Sequence, residues 1–174
     1  KFKNGWYEKA GALLEKSPKT LWCATCLGLN LENMDINKPV GEYTGARLDF
    51  YNEKTHQVFE GVWTPKKEGE NYEIECVMGA CYFIHKDWFF HIGGMEHNRM
   101  WGSEEPFLSL KSWLAGGDVK LMTDVKIGYK FKTSAPYSTG GEFVLYNKLR
   151  AIKTLLSPME AEWLISKMPL TAAF

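Results

Sequence analysis

The sequence predicts an α/β fold in which a mixed sheet is flanked by helices and interrupted by an antiparallel hairpin insert. Three observations lead there. First, TLWCATCLGL (20–29), EIECVMGACYFI (73–84) and VKLMTDVKIGYKF (119–131) are apolar runs of strand length, of the kind buried on both faces in a layered domain. Second, stretches with helical spacing lie between and around them and stop at Ser-Pro or Gly-Gly. Third, from 30 to 71 the pattern breaks into short alternating pieces, GARLDFYN and THQVFEGVW, separated by Asn, Asp, Gly and Pro.

Each element follows from local chemistry. Asn4 is placed to cap a first helix in which Trp6, Ala10, Leu13 and Leu14 recur on one face, and Ser17-Pro18 ends it. A strand is expected from about Thr20 to Leu29, then the hairpin insert over about 36–72. Tyr72 to Ile84 is apolar enough for a central strand, and Lys86 to Ile92 fits a short helix closed by Gly93-Gly94 in a left-handed cap. Phe107, Leu110 and Leu114, with Trp113 beside them, form the stripe of a further helix that stops at Gly116-Gly117. Val119 to Phe131 returns to strand character and sets Val125, Ile127, Tyr129 and Phe131 on one face. Two helical stretches finish the chain, one around Tyr146 to Leu156 and one starting at Ser157-Pro158, where Glu160 completes a capping box. At 174 residues the expectation is a single domain over 1–174, its C-terminal helices at about 145–168.

Composition narrows the function. Lys+Arg and Asp+Glu number 21 each, so there is no surplus of positive charge for a nucleic-acid backbone. No apolar run has the length of a membrane span, and KFKNGWYEKAG lacks the apolar core of a secretion signal. Cys23, Cys26, Cys76 and Cys81 fall on expected buried strands, where odd separations point to opposite faces, so they read as core thiols rather than zinc ligands. His85, His91 and His97 recur every six residues, which fits neither one helix face nor one metal site, and His56 falls on a hairpin.

The chemistry concentrates in WGSEEPFLSL, 101–110. Pro106 belongs in the first turn of a helix, so Glu104 and Glu105 sit at its start, where free amides and the helix dipole favour negative charge by about 0.3–1 kcal/mol each. That alone explains the pair as helix stabilisation. The functional alternative is that a helix start facing a cleft holds carboxylates for sugar hydroxyls or for taking up a proton.

The stretch from Gly79 to Phe131 (GACYFIHKDWFFHIGGMEHNRMWGSEEPFLSLKSWLAGGDVKLMTDVKIGYKF) resembles the latter part of the catalytic domain of GT-A fold nucleotide-sugar glycosyltransferases. The likeness is greatest to the polypeptide N-acetylgalactosaminyltransferases and to bacterial family-two enzymes. Their pattern is a small-residue strand, a short helix closed by G-G, W-G-G-E-[ND], a helix ending in G-G, and a strand ending in G-H-x-F-R. It implies a partial GT-A, Rossmann-like mixed sheet and a transferase that moves a sugar from a UDP-sugar to a hydroxyl of a sugar, protein or polymer acceptor.

Carried over by position, the resemblance makes Glu104 the contact to sugar hydroxyls. It sets Glu105 where inverting relatives have an aspartate base and retaining relatives an asparagine. Trp101 and Gly102 then border the sugar, Gly79, Ala80 and Cys81 form the small-residue stretch that a sugar approaches, and Tyr137 lies in an aromatic loop. Lys132 replaces the phosphate-facing arginine, and Tyr129 replaces the histidine that binds Mn or Mg, so a divalent cation is in question here. The family's acidic metal motif and nucleotide-binding half would precede Lys1. The expectation is therefore a chain that needs that N-terminal half as partner and is inactive alone, with a noncatalytic carbohydrate-binding or scaffolding remnant as the alternative.

Overall fold

The structure, a computed structural model, describes residues 1–131 and 141–168. Helix α1 (Trp6–Lys16) leads into strand β1 (Thr20–Gly28), followed by β2 (Gly41–Tyr43), β3 (Ala46–Asn52), β4 (Gln57–Trp63) and the short β5 (Tyr82–Phe83). Helices α2 (Lys86–His91) and α3 (Glu104–Leu114), strand β6 (Asp118–Tyr129), and helices α4 (Gly141–Leu155) and α5 (Pro158–Lys167) complete it.

β1 is the centre of a mixed four-stranded sheet. β6 runs parallel along the whole of it, while β5 at Trp22–Cys23 and β2 at Cys26–Gly28 pair antiparallel. All nine residues of β1 are buried, which its unbroken apolar run requires. Strand parity divides them. Leu21 and Cys23 join Val119 and Leu121 in a core with Trp88, Ile92 and Leu108, whereas Trp22, Ala24 and Cys26 meet Met122, Val125 and Ile127 in a core with Ala10. Cys23 and Cys26 therefore lie on opposite faces, as their odd spacing predicts. Burial pushes both thiols up, Cys23 to about 12 and Cys26 to about 11.

The β3–β4 hairpin is a separate two-stranded sheet. Val58 and Phe59 anchor it to Phe107, Leu110, Ile152 and Leu164 in a third core. The insert is thus one hairpin plus β2, which is recruited to the main sheet.

Several local expectations need correction. Tyr72 to Ile84 is not a central strand: only Tyr82–Phe83 is, and the rest touches the sheets through single bridges at Glu73–Lys120 and Ala46–Cys76. Its polar groups are satisfied instead by α3, where Ser109 Oγ accepts from the Val77 N–H at 3.0 Å and Trp113 Nε1 donates to the Glu75 carbonyl at 3.1 Å. An apolar run does not separate strand from buried irregular chain. Asn4 does not cap α1; Gly5 occupies the cap position at φ 75°, without a side-chain bond. Leu114 is 60% exposed, and the buried face of α3 is carried by Phe107, Leu108, Ser109, Leu110 and Ser112. Tyr129 and Phe131 are exposed while Val125 and Ile127 are buried, because the sheet ends there. α4 starts at Gly141, earlier than Tyr146. The Ser157–Glu160 capping box of α5 forms as expected. No helix among the described residues is long and apolar enough to cross a membrane.

Candidate functional site

α3 points its N-terminus at a cleft of about 280 Å³ lined by Glu60, Gly61, Met78, Trp101, Ser103 and Glu105, with Gly102, Pro106 and Val144 completing the wall. α3 itself gives Glu105 and Pro106, α4 gives Val144, and three further parts of the chain complete it. β4 supplies Glu60, the irregular segment held by Ser109 supplies Met78, and the loop before α3 supplies Trp101 and Ser103.

The two acids divide their tasks. Glu104 Oε1 accepts from the Gly102 N–H at 2.8 Å, so this carboxylate shapes the turn entering the helix. Glu105 faces the cleft. Burial raises its pKa above the ordinary value, and the neighbouring charges of Glu104 and Glu60 add to this, while its own amide and that of Gly79 pull the other way. Gly79 leaves the Glu105 carboxylate its place, since a methyl group there would displace that side chain. Tyr82 stands near both acids, and burial followed by their charge pushes its phenol up to about 12.

The loop before α3 is strained. His97, Met100 and Ser103 all adopt positive φ, at 67°, 50° and 64°, as does Gly102 at 115°. Asn147 of α4 holds this loop: its Oδ1 accepts from the Arg99 N–H at 2.9 Å, and its Nδ2 donates to the carbonyls of Arg99 at 2.9 Å and Gly102 at 3.0 Å. Arg99 also lies over the Tyr146 ring at 4.3 Å. The clamp presents Trp101 at the cleft, the residue 52% exposed.

Among the residues predicted from sequence, Trp101, Gly102 and Glu105 meet in the cleft, and Gly79 contacts Glu105. Ala80 and Cys81 instead pack toward the core beside α1. Lys132 and Tyr137 lie outside the described residues. Glu60, Met78, Ser103, Asn147 and Lys148, which pairs with the Glu60 carboxylate, were not anticipated. Only Asn147 left a trace, as a polar residue on the apolar side of an amphipathic helix.

Tyr129 lies at the end of β6, edge-on to Phe131 at 5.1 Å, and Phe131 in turn packs on Tyr43 at 4.7 Å. A neutral phenol is a poor ligand for a hard divalent ion, and no three His, Cys, Asp or Glu among the described residues converge as a metal site.

A probable N-acetylgalactosaminyltransferase 8 of Caenorhabditis elegans is 27% identical over 168 residues, covering 93% of this chain and 39% of the relative. Polypeptide N-acetylgalactosaminyltransferase 3 of Drosophila melanogaster is 23% identical over 142 residues, covering 79% of this chain and 21% of the relative.

The chain is homologous to the polypeptide N-acetylgalactosaminyltransferases.

It spans well under half the length of these transferases. No protein-family model matches it. A solved structure described as GalNAc-T7 with UDP, GalNAc and Mn2+ superposes with a TM-score of 0.64 at 18% identity, over 88% of this chain and 30% of that one. The α/β architecture is thus that of a GalNAc-transferase GT-A domain, in part.

Proposed function

We propose that this chain is the sugar-facing part of a GT-A glycosyltransferase catalytic domain, acting on a UDP-sugar donor and a hydroxyl acceptor. One observation carries the reading: Glu105, at a helix start, faces a cleft bordered by half-exposed Trp101. An aromatic face suits the C–H side of a sugar, and a carboxylate suits its hydroxyls. Homology to GalNAc-transferases supports the class of reaction.

Within this reading Glu105 is the proton acceptor for the attacking hydroxyl, since a raised carboxylate pKa suits a general base. Glu104 acts at the same mouth, shaping the Gly102 turn against which the sugar rests. Gly79 leaves room for the Glu105 carboxylate, and Trp101 and Gly102 border the ring. Lys132 and Tyr137 are assigned to phosphate and sugar by resemblance alone. No step is assigned to a metal.

The test uses the full-length protein with UDP-sugar. Glu105→Gln should lower transfer or hydrolysis at least about 10²-fold with the fold retained by circular dichroism. An unchanged rate refutes the role of base. A second reading, a noncatalytic carbohydrate-binding remnant, is favoured by Tyr129, a neutral phenol where the resemblance calls for a metal-binding histidine. Glycoside binding at the cleft with no UDP-sugar turnover would establish it instead.

A further inference from the structure

We infer that the cavity between the start of β1 and helix α2 is a second ligand site, and that it takes a small organic anion, a carboxylate carried on a flat apolar ring. Its floor is bonded to the C-terminal part of α3, whereas the cleft of Glu105 lies at the N-terminus of that helix. The two sites are separate, and this one does not depend on the reading of the other.

The cavity holds about 330 Å³ and is lined by Pro18, Lys19, His85, Asp87, Trp88 and His91. Two connections meet there: the Ser17-Pro18 stop that turns the chain from α1 into β1, and the turn from β5 into α2. Trp88 is the floor, with Pro18 beside it. The tryptophan is 5% exposed, and its Nε1 donates to Ser112 Oγ at 3.1 Å. His91, one turn further along α2, stacks on its ring at 5.1 Å with 21° between the planes. A ring fixed through its nitrogen and across its face is a preformed apolar surface, so a flat ligand binds it without the cost of ordering it.

The rim offers donors. Lys19 holds its ammonium 5.8 Å from the centre of the Trp88 ring and forms no ion pair with a carboxylate among the described residues. His85 Nδ1 accepts from the Asp87 N–H at 3.3 Å, so the neutral ring carries its proton on Nε2, which is then a donor. His91 adds a second imidazole. Asp87 is the single acid on the wall, and its side chain is 88% exposed to water. An ammonium and two imidazoles above an apolar floor match an oxyanion attached to a ring: the ring covers Trp88 and Pro18 while the carboxylate meets Lys19. A neutral ring of the same shape gains the floor alone, and inorganic phosphate gains the rim alone.

The experiment titrates the full chain with benzoate, benzamide and inorganic phosphate, following the Trp88 indole N–H and the imidazole C–H resonances of His85 and His91 by NMR. Benzoate should shift these resonances and bind at least about tenfold tighter than benzamide or phosphate. Lys19→Met keeps the length of the side chain and removes its charge, and should bring benzoate within about threefold of benzamide. His85→Asn keeps an acceptor at the helix cap and should weaken benzoate at least about threefold. Asp87→Asn should not weaken it, which separates the loss of a binding group from a general disturbance of α2. Benzoate binding no tighter than benzamide or phosphate in the unaltered protein, or a preference that Lys19→Met leaves intact, overturns the inference. None of these probes carries a sugar or a nucleotide, so such a failure leaves the transferase reading standing, and an unchanged rate in Glu105→Gln leaves this site standing.

Discussion

At the scale of single residues, Glu105 ties stability to function. Its folded pKa is raised, so the folded chain holds this proton more tightly than the unfolded one. The favourable contribution is complete below the unfolded value of about 4.3 and is lost as pH rises through the folded value. At neutral pH the ionised side chain is therefore a burden on the fold. Glu105→Gln should stabilise the protein relative to the native sequence by an amount that grows from about pH 4 to pH 7, read from urea unfolding across that range. A difference independent of pH would count against it. Asn147 acts on the site through the loop it holds. Asn147→Ala strands the Arg99 amide and the Arg99 and Gly102 carbonyls, at a cost of about 1–3 kcal/mol. The Trp101 indole resonance should shift as the strained loop relaxes, whereas a purely global destabilisation would leave it in place below the unfolding transition.

At the scale of elements, the Gly-Gly stop after α3 does two different jobs. Gly116 takes φ 79°, the left-handed cap that ends the helix. Gly117 lies against the Lys19 carbonyl and the Trp88 ring, where a β-carbon would overlap backbone. Gly117→Ala should cost about 1–3 kcal/mol by urea unfolding, because β1 cannot retreat without losing its register with β6. The irregular segment 72–81 shows the converse. Its composition reads as strand, yet Ser109 and Trp113 of α3 complete its hydrogen bonds, which sets Met78 and Gly79 against Glu105. Neighbouring residues in sequence give no sign of this, since the partners lie 32 and 38 positions away.

At the scale of the whole molecule, the cleft exists because the β3–β4 hairpin is packed onto the helices. Phe59 is fully buried between β4 and the α3–α5 group. Phe59→Ala should cost about 3–5 kcal/mol and release the hairpin that carries Glu60. Denaturant unfolding measures the loss. Hydrogen exchange should show the hairpin amides opening before those of β1 and β6; simultaneous opening would mean the hairpin is not a separable wall.

Much of this protein is legible from its chain alone, for a physical reason. The glycine stops after α2 and α3, the capping box of α5, the two-sided burial of β1 and the separation of Cys23 from Cys26 follow from cap chemistry and side-chain periodicity, which act within a few residues. The acidic helix start was readable for the same reason, since Pro106 and Gly102 mark it locally. The meeting of Glu60 with Glu105, the pairing of Lys148, the hold of Asn147 on the Trp101 loop and the irregular path of 72–81 depend on contacts across dozens of residues. No spacing encodes those contacts; they arise only when the hairpin, the sheet and the helices pack together, and packing decides which side chains share one cleft.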